Sequence, residues 1–431
     1  MFIHGGKFRE WSASYFNYTN LALKGVIVVT INYRLDAFGF LSTQDDVIPG
    51  NFGLMDAKLA LHFVKEIIGD FGGDSGDVTL FGASAGSAMV QQMSLSPLTR
   101  GKFQKAIMQS GPGTCSWSSY KPETPFVPRQ IAFSLGLKLR CPLPHGFTGR
   151  QASEDLVDCL RKVPADELIS VVQDLTVNDF GSGIIFVPVS GDSFGFLPEH
   201  PALLAANTKD IVPIPMILGW TTDDSSWYIN DPEDDGLTYA EFLQFIQIGI
   251  GLAYPPDQVQ SIVHAVLTMY NMTDPSGLDP YHIREVAMEL ITDFSMKSFM
   301  AKEARQFSKA AEGSRAKVFV YEYHHRPSYS VNPAWQRVTH MDEEGMGLGL
   351  PNGPRELSYP QTSAHDRKVS ELMTTWWSNF AKYGEPSPSW PKFGYQQDDQ
   401  QLMIIRSNPG VKQFDGDDPV VLWTGSSGLE D

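Results

Sequence analysis

Short apolar runs rich in Val and Ile alternate along the chain with longer stretches in which apolar residues recur at helical spacing. The short runs predict buried strands at residues 26–31, 77–81, 105–109, 215–218 and 317–323. The longer stretches predict helices over residues 54–68, from about residue 87, and over 366–383, with Gly384 just past the end. Alternation of this kind is typical of an α/β fold, a largely parallel sheet with helices on both faces.

Size and charge narrow the classes of function. The 431 residues, 42% of them hydrophobic, suffice for one enlarged domain, and we expect residues 1–431 to form a single unit. A formal net charge of -17 has the wrong sign for binding phosphates, which argues against a nucleic-acid partner. The sequence has no apolar run of about 18 residues, so it predicts no membrane span. The first six residues lack the features of a signal peptide.

Two signals favour a secreted protein or one in the lumen of the secretory pathway. Asn17 and Asn271 each begin an Asn-x-Thr sequon, the acceptor for N-glycosylation. Cys141 and Cys159 bracket a polar stretch that a disulfide could close in an oxidising compartment. Cys115 would then be the third cysteine, outside the disulfide. Three free thiols are the alternative.

The strongest catalytic motif is Gly82-Ala83-Ser84-Ala85-Gly86, which lies directly between a predicted strand and a predicted helix. A nucleophile elbow of an α/β-hydrolase fold lies at this position, and its tight turn requires small residues two positions either side of the serine. The same pattern recurs around Ser193, but Gly195 and Pro198 prevent a helix from beginning there. We therefore predict Ser84 as the nucleophile.

A glycine turn near the start of the chain predicts an oxyanion hole. Gly5 and Gly6 follow His4 and an apolar pair, as in lipases and esterases whose backbone N–H groups bind the developing oxyanion. Glycine allows the backbone to approach the substrate. Ala85, the residue after the predicted nucleophile, is expected to supply another N–H group.

The usual chain order in this fold is serine, acid, histidine, which favours a late histidine as the general base. His340 lies in a polar loop after the strand predicted at 317–323, and His324 and His325 are alternatives nearer to that strand. We predict Asp224, rather than Asp223, as the acid. An Asp-Asp pair in a loop is more often a solvated turn, but this pair follows the strand at 215–218 and fits the chain order.

The sequence resembles the type-B carboxylesterase and cholinesterase family over nearly its whole length. The motifs that carry this resemblance are Ile3-His4-Gly5-Gly6, Asn32-Tyr33-Arg34-Leu35, Phe38-Gly39-Phe40, Pro49-Gly50-Asn51, Phe71-Gly72-Gly73-Asp74, Val78-Thr79-Leu80-Phe81-Gly82, Ser84-Ala85-Gly86, Gln109-Ser110-Gly111, Phe196-Leu197-Pro198 and Asn379-Phe380. The resemblance implies an α/β-hydrolase fold with a catalytic serine, histidine and acid. It also implies that Ser110 supports these three residues, that the Lys7 amide joins the oxyanion hole, and that Cys141 and Cys159 form a disulfide.

Several positions depart from the family pattern. Asp224 stands where glutamate is usual, Ala83 replaces a buried glutamate, and Lys7 replaces a third glycine. Ile184 and Phe186 lie in the stretch that resembles the acyl pocket, and its small side chains suggest a roomier acyl site than that of cholinesterases. The long segment that precedes the glycine turn in family members is missing from this sequence, so we expect an N-terminally incomplete domain with an exposed sheet edge.

The sequence therefore predicts a serine carboxylic ester hydrolase that acts on uncharged esters through an acyl-enzyme, with no cofactor and no metal. One alternative is a choline-ester hydrolase, for which only Trp227 and Tyr228 offer aromatic rings after the predicted acid. The other is a binding protein, because the family also contains non-catalytic adhesion proteins. Those usually lack the nucleophile or the base, and the predicted Ser84 and His340 are both present. The oligomeric state stays open.

Overall fold

A computed structural model describes residues 1–120, 127–175, 184–352 and 362–425. Its strands are β1 (Phe2–Ile3), β2 (Thr30–Ile31), β3 (Thr79–Ala83), β4 (Lys105–Gln109), β5 (Met216–Thr221), β6 (Val318–Tyr323), β7 (Gln401–Ile405) and β8 (Gly410–Gln413). They form one sheet in the order β2-β1-β3-β4-β5-β6-β7-β8. Neighbours pair in parallel except β7 and β8, which are antiparallel. The α/β-hydrolase fold class expected from the sequence is confirmed.

Helices fill most of the connections between the strands. They are α1 (Thr19–Ala22), α2 (Asp36–Phe40), α3 (Phe52–Ile67), α4 (Ala85–Leu95), α5 (Pro128–Lys138), α6 (Gly149–Leu160), α7 (Ala165–Asp174), α8 (Pro201–Ala206), α9 (Tyr239–Ala253), α10 (Val259–Met269), α11 (Pro280–Thr292), α12 (Ser298–Ala310), α13 (Glu344–Gly347), α14 (Ala364–Tyr383) and α15 (Asp417–Thr424). A π-helical turn, Asp293–Lys297, joins α11 to α12.

Successive residues of the central strands pack into two different cores, as the two-residue period of a strand requires. On β4, Ala106 and Met108 join a core that includes residues of α3, α4 and α12. Ile107 joins a second core, built with α14. Both faces of the sheet are therefore covered, which explains why the strands are apolar runs without a polar alternation.

The predicted elements match the structure best where they are long or fully buried. The strand at 105–109 has the predicted bounds, and the helix predicted at 366–383 is observed as Ala364–Tyr383, with Gly384 in the left-handed region at φ 74°. The run at 26–31 pairs only at Thr30–Ile31, because its neighbour β1 is itself two residues long. Strands β7 and β8 were not predicted from the sequence.

A disulfide joins Cys141 and Cys159, with 5.6 Å between their Cα atoms. It links the loop after α5 to the last turn of α6. The pairing implied by the family resemblance is thus confirmed. Cys115 lies outside this disulfide and is buried.

The first turn of α14 contains a buried carboxylate, Asp366, with several hydrogen-bond donors. Ser363 Oγ accepts from the Asp366 amide at 3.1 Å, and the Asp366 side chain accepts from the Ser363 amide at 2.6 Å, which completes a capping box. His325 Nε2 and the Ser328 amide lie 2.7 and 3.1 Å from Asp366 Oδ1. Burial opposes ionisation, but the bonds from Ser328 and Ser363 prevail and lower the pKa of Asp366 to about 2.

Replacing Asp366 with Asn should lower the free energy of unfolding at pH 7 by about 2 kcal/mol, the value typical for bonds to a charged group. Because the folded-state pKa lies below the unfolded value of about 3.9, this stabilisation is present at neutral pH and is lost as pH falls from about 4 to about 2. Urea unfolding followed by tryptophan fluorescence measures the difference. Asp398→Asn, at an exposed site, is the control; an equal loss in both variants would contradict the assignment.

Candidate active site

Ser84 occupies the turn between β3 and α4, in the strained backbone conformation of a nucleophile elbow. Its φ and ψ angles are 55° and -126°, and α4 begins at the next residue. The Ser84 amide donates to Gln109 O at 2.8 Å, which ties the turn to the end of β4. This backbone projects the serine side chain out of the strand at the carboxyl edge of the sheet.

Glycines surround the turn because no other residue fits there. A Cβ on Gly82 would lie 2.4 Å from Gly86 C, and one on Gly86 would lie 2.0 Å from Ile3 O. A Cβ on Gly5 would lie 2.9 Å from Ser84 Cβ. The glycine turn after β1 therefore packs directly against the turn at Ser84.

His340 contacts Ser84 and Asp224 through its two ring nitrogens. Nε2 lies 2.8 Å from Ser84 Oγ, and Nδ1 lies 2.6 Å from Asp224 Oδ1. The His340 amide also donates to Asp224 O at 2.9 Å, so the backbones of the two loops are joined as well. The three side chains predicted from the sequence thus form one continuous hydrogen-bonded array.

Asp224 is fully buried, and three polar groups lie within hydrogen-bond distance of its carboxylate oxygens. Oδ2 accepts from the Thr221 amide at 2.9 Å and from Ser110 Oγ at 2.6 Å, while Oδ1 faces His340. Asp223 instead points towards Arg337, whose Nε donates to Asp223 Oδ1 at 3.0 Å. The structure thus brings Asp224, and not its neighbour, to the histidine.

The residues that the sequence offered as alternatives lie outside the array of Ser84, His340 and Asp224. His325 Nε2 lies 2.7 Å from Asp366 Oδ1, and His324 Nε2 lies 3.5 Å from Glu322 Oε2. Ser193, in the second Gly-x-Ser-x-Gly match, is exposed on a turn. Neither histidine nor this serine joins the array around Ser84.

The amides expected in the oxyanion hole lie where the turn after β1 meets the start of α4. Gly6 has φ 97°, and Lys7 and Phe8 follow in the left-handed region. Within the described residues, the N–H groups of Gly5, Gly6, Lys7 and Ala85 donate to no acceptor. Free amides at the N-terminus of a helix and in an adjacent turn favour a negatively charged oxygen.

Sequence reasoning missed Glu343, a fully buried carboxylate three residues after His340. Its Oε1 lies 3.0 Å from Ser110 Oγ, which also faces Asp224. The single hydrogen of that hydroxyl cannot bond both carboxylates, whereas a protonated Glu343 can donate to Ser110 while Ser110 donates to Asp224. Burial and the charge of Asp224 raise the pKa of Glu343, in agreement with this pattern. The run Asp342-Glu343-Glu344 resembles a solvated loop, so the sequence carried no signal for it.

Opposing effects set the pKa of His340. Burial lowers it, but the charge of Asp224 and its hydrogen bond to Nδ1, together with Glu343, leave it above the ordinary value of 6.5. Lys7 acts in the opposite direction and lowers it. The sequence motif indicates a role for the Lys7 backbone amide only, whereas in the structure the charge of its side chain also affects His340.

Ile184 and Phe186 line an apolar cavity of about 300 Å³, as do Trp117, Tyr228 and Phe294. Ser84 and His340 do not line this cavity. The first two residues of the predicted acyl-pocket stretch, Ser182 and Gly183, lie outside the described residues.

The described residues contain no group of three or more His, Cys, Asp or Glu side chains arranged to hold a metal ion. In that same part of the chain, none of the helices has both the length and the apolar character needed to cross a membrane.

An eight-stranded α/β sheet with a Ser-His-Asp array at its carboxyl edge defines the class as α/β-hydrolase. The model of the carboxylesterase family matches residues 1–423, and the chain belongs to that family. Two similar proteins are neuroligin-2 from Homo sapiens and neuroligin-2 from Mus musculus. Each is 31% identical over 399 residues, which is 91% of this chain and 45% of the relative. The chain thus spans less than half the length of these relatives.

Replacing Glu343 with Gln should lower the pKa of His340. The pKa of Glu343 is raised to about 7, so this side chain becomes negatively charged in the pH range where His340 titrates, and its charge then raises the pKa of the imidazole. Glutamine has nearly the same shape and can still donate to Ser110. NMR titration of histidine-labelled protein measures the change, with His340→Gln identifying the signal. Glu167→Gln, at an exposed position, is the control. An unchanged pKa in Glu343→Gln would contradict the coupling.

Proposed function

We propose that this chain is a serine carboxylic ester hydrolase that acts on uncharged carboxylic esters through an acyl-enzyme. The observation that carries the proposal is the array Ser84–His340–Asp224, with 2.8 Å from Ser84 Oγ to His340 Nε2 and 2.6 Å from His340 Nδ1 to Asp224 Oδ1. Both distances are within hydrogen-bond range, so the base can take the serine proton directly.

In the proposed reaction, Ser84 Oγ attacks the ester carbonyl carbon while His340 Nε2 takes the hydroxyl proton. Asp224 fixes the Nδ1–H tautomer and stabilises the imidazolium. The carbonyl oxygen becomes an oxyanion, which would accept hydrogen bonds from the amides of Gly5, Gly6 and Ala85. His340 then protonates the departing alcohol.

Water completes the cycle. His340 removes a proton from water as the water oxygen attacks the acyl carbon. The second tetrahedral intermediate then collapses by breaking its bond to Ser84 Oγ, and the His340 imidazolium returns the proton to Ser84 as the carboxylic acid leaves. Ser110 and Glu343 would act indirectly, since their hydrogen bonds hold Asp224 in place. The contributing loops come from early, middle and late parts of the chain, which supports treating residues 1–431 as one catalytic domain.

The proposal extends to location. The Cys141–Cys159 disulfide is consistent with an oxidising compartment. We place the protein in the secretory pathway or outside the cell, with glycans on Asn17 and Asn271. Asn271 is exposed and Asn17 is half-buried, so neither acceptor is enclosed in the core.

Two alternative functions, choline-ester hydrolysis and a binding or adhesion role, have less support. A choline ester would place its cation on an aromatic face, but Lys7 Nζ already lies 4.5 Å from the ring centroid of Trp227. A binding or adhesion role is open to family members without catalysis, and the complete Ser-His-Asp array disfavours it here. Hydrolysis therefore stays the first candidate.

Purified protein should hydrolyse 4-nitrophenyl butyrate, and Ser84→Ala should lower kcat by about a thousandfold or more. Ser193→Ala is the matched control, because that serine has the same motif but is exposed and outside the array. An organophosphate should label Ser84, as mass spectrometry can show. A folded sample with neither hydrolysis nor label would refute the proposal and favour a binding role.

The value of kcat/KM should fall on the acid side with an apparent pKa above 6.5, because the charge of Asp224 overcomes burial in raising the pKa of His340. Only the neutral imidazole can take the serine proton, so activity is present above this pKa and decreases about tenfold per pH unit below it. A pH–rate profile with the neutral butyrate ester tests this. An acid limb centred below 6.5 would contradict it.

A further inference from the structure

Lys7 follows the two glycines of the turn after β1, and its backbone is left-handed at φ 57°. The next residue, Phe8, is fully buried in the core and fixes the path of the chain. The half-buried Lys7 side chain reaches across to Trp227, where Nζ lies 4.5 Å from the ring centroid. Trp227 is three residues after Asp224, so this contact joins the glycine turn to the loop of the acid.

The Lys7 ammonium lacks an anionic partner within residues 1–120, 127–175, 184–352 and 362–425. The acids of this region have other contacts: Asp224 bonds His340, Asp223 bonds Arg337, and Glu343 bonds Ser110. A ring face attracts the cation but accepts no conventional hydrogen bond, and lysine has three N–H donors. Half-burial therefore leaves these donors with less water and no protein acceptor.

This charge acts on the reacting groups. Lys7 lowers the pKa of His340, so its field reaches the imidazole. The same field repels a cationic substrate, and the Trp227 face that would attract such a cation is covered by Lys7 itself. The net charge of -17 repels anions at long range, but salt screens exposed charges beyond about 8 Å under physiological conditions. The half-buried Lys7 ammonium is screened less than exposed charges, so it acts on a ligand close to it.

We propose that Lys7, positioned on Trp227, forms a subsite for a carboxylate carried by the ester substrate. Esters with such a carboxylate would then be substrates in addition to the uncharged esters of the proposed function, with a higher kcat/KM than neutral esters of equal size. This inference rests on the proposed hydrolase function. The carboxylate can belong to the acyl or to the alcohol part of the ester. In either case it would receive charge-assisted hydrogen bonds from Nζ, which are about twice as strong as neutral ones.

Two pairs of probe esters distinguish these sources. The first pair is the 4-nitrophenyl monoester of adipic acid and 4-nitrophenyl hexanoate, which differ by a carboxylate on the acyl part. The second is 4-acetoxybenzoate and its methyl ester, which differ by a carboxylate on the alcohol part. For each pair we compare the ratio of kcat/KM for the anionic ester to that for the neutral ester between the wild type and the Lys7 variants. Differences in the intrinsic reactivity of the two esters are the same for every variant, so a change in the ratio reports the effect of the lysine.

Lys7→Gln should lower this ratio about tenfold for one pair, the effect of losing one charge-assisted hydrogen bond. A change in the rate common to both esters of a pair cancels in the ratio. Lys7→Arg should keep most of the preference, because it retains the charge. Lys102→Gln, which removes an exposed lysine on the turn before β4, is the matched control and should not change either ratio. Thermal unfolding of each variant shows whether it is folded.

Equal ratios in the wild-type protein, Lys7→Gln and Lys7→Met for both pairs would overturn the subsite while leaving the hydrolase function intact. Failure of the wild-type protein to hydrolyse even the neutral esters would instead refute the proposed function, and the subsite with it. A higher ratio in Lys7→Gln than in the wild type would also overturn the inference, because it would mean that Lys7 disfavours anions.

Discussion

The backbone turn at Ser84 leaves no room for side chains on the segments packed around it. Its φ of 55° sends the chain directly from β3 into α4, and a Cβ on Gly111 would lie 1.9 Å from Ser84 O. Gly5 and Gly86 are under similar steric limits. Because these glycines allow close approach, the ends of β1, β3 and β4 meet at one point, and free backbone amides lie beside the serine hydroxyl.

The parallel sheet supplies the other two groups. Strands β5 and β6 are neighbours, so the loops after their carboxyl ends bring His340 and Asp224 within 2.6 Å across 116 residues of sequence. A buried carboxylate without partners costs several kcal/mol, and here Ser110 and Thr221 offset that cost. The array is therefore a packed part of the core whose geometry is fixed before any ligand binds.

Two charged or titratable groups outside the array act on His340 in opposite directions. Glu343 raises the pKa of the imidazole and Lys7 lowers it. Both lie within a few residues of predicted site residues in sequence, yet their effects depend on burial and distance. Glu343 belongs to an acidic run typical of a solvated loop, and Lys7 replaces a glycine at a turn. The family resemblance implies a glutamate at the position of Ala83. Its replacement by alanine is therefore only one of the features that set the electrostatics of this site.

By itself, the sequence determined the alternation of strands and helices, the turn at Ser84 and the candidate histidine and acid, because these depend on local spacing, small residues and chain order. It offered no physical reason to choose Asp224 over Asp223, and it did not predict β7 and β8. Only the tertiary structure decided which carboxylate faces His340, that Ser110 lies between two acids, and that Lys7 covers Trp227. Those facts depend on distances between residues far apart in the chain, which are fixed by packing and not by local pattern.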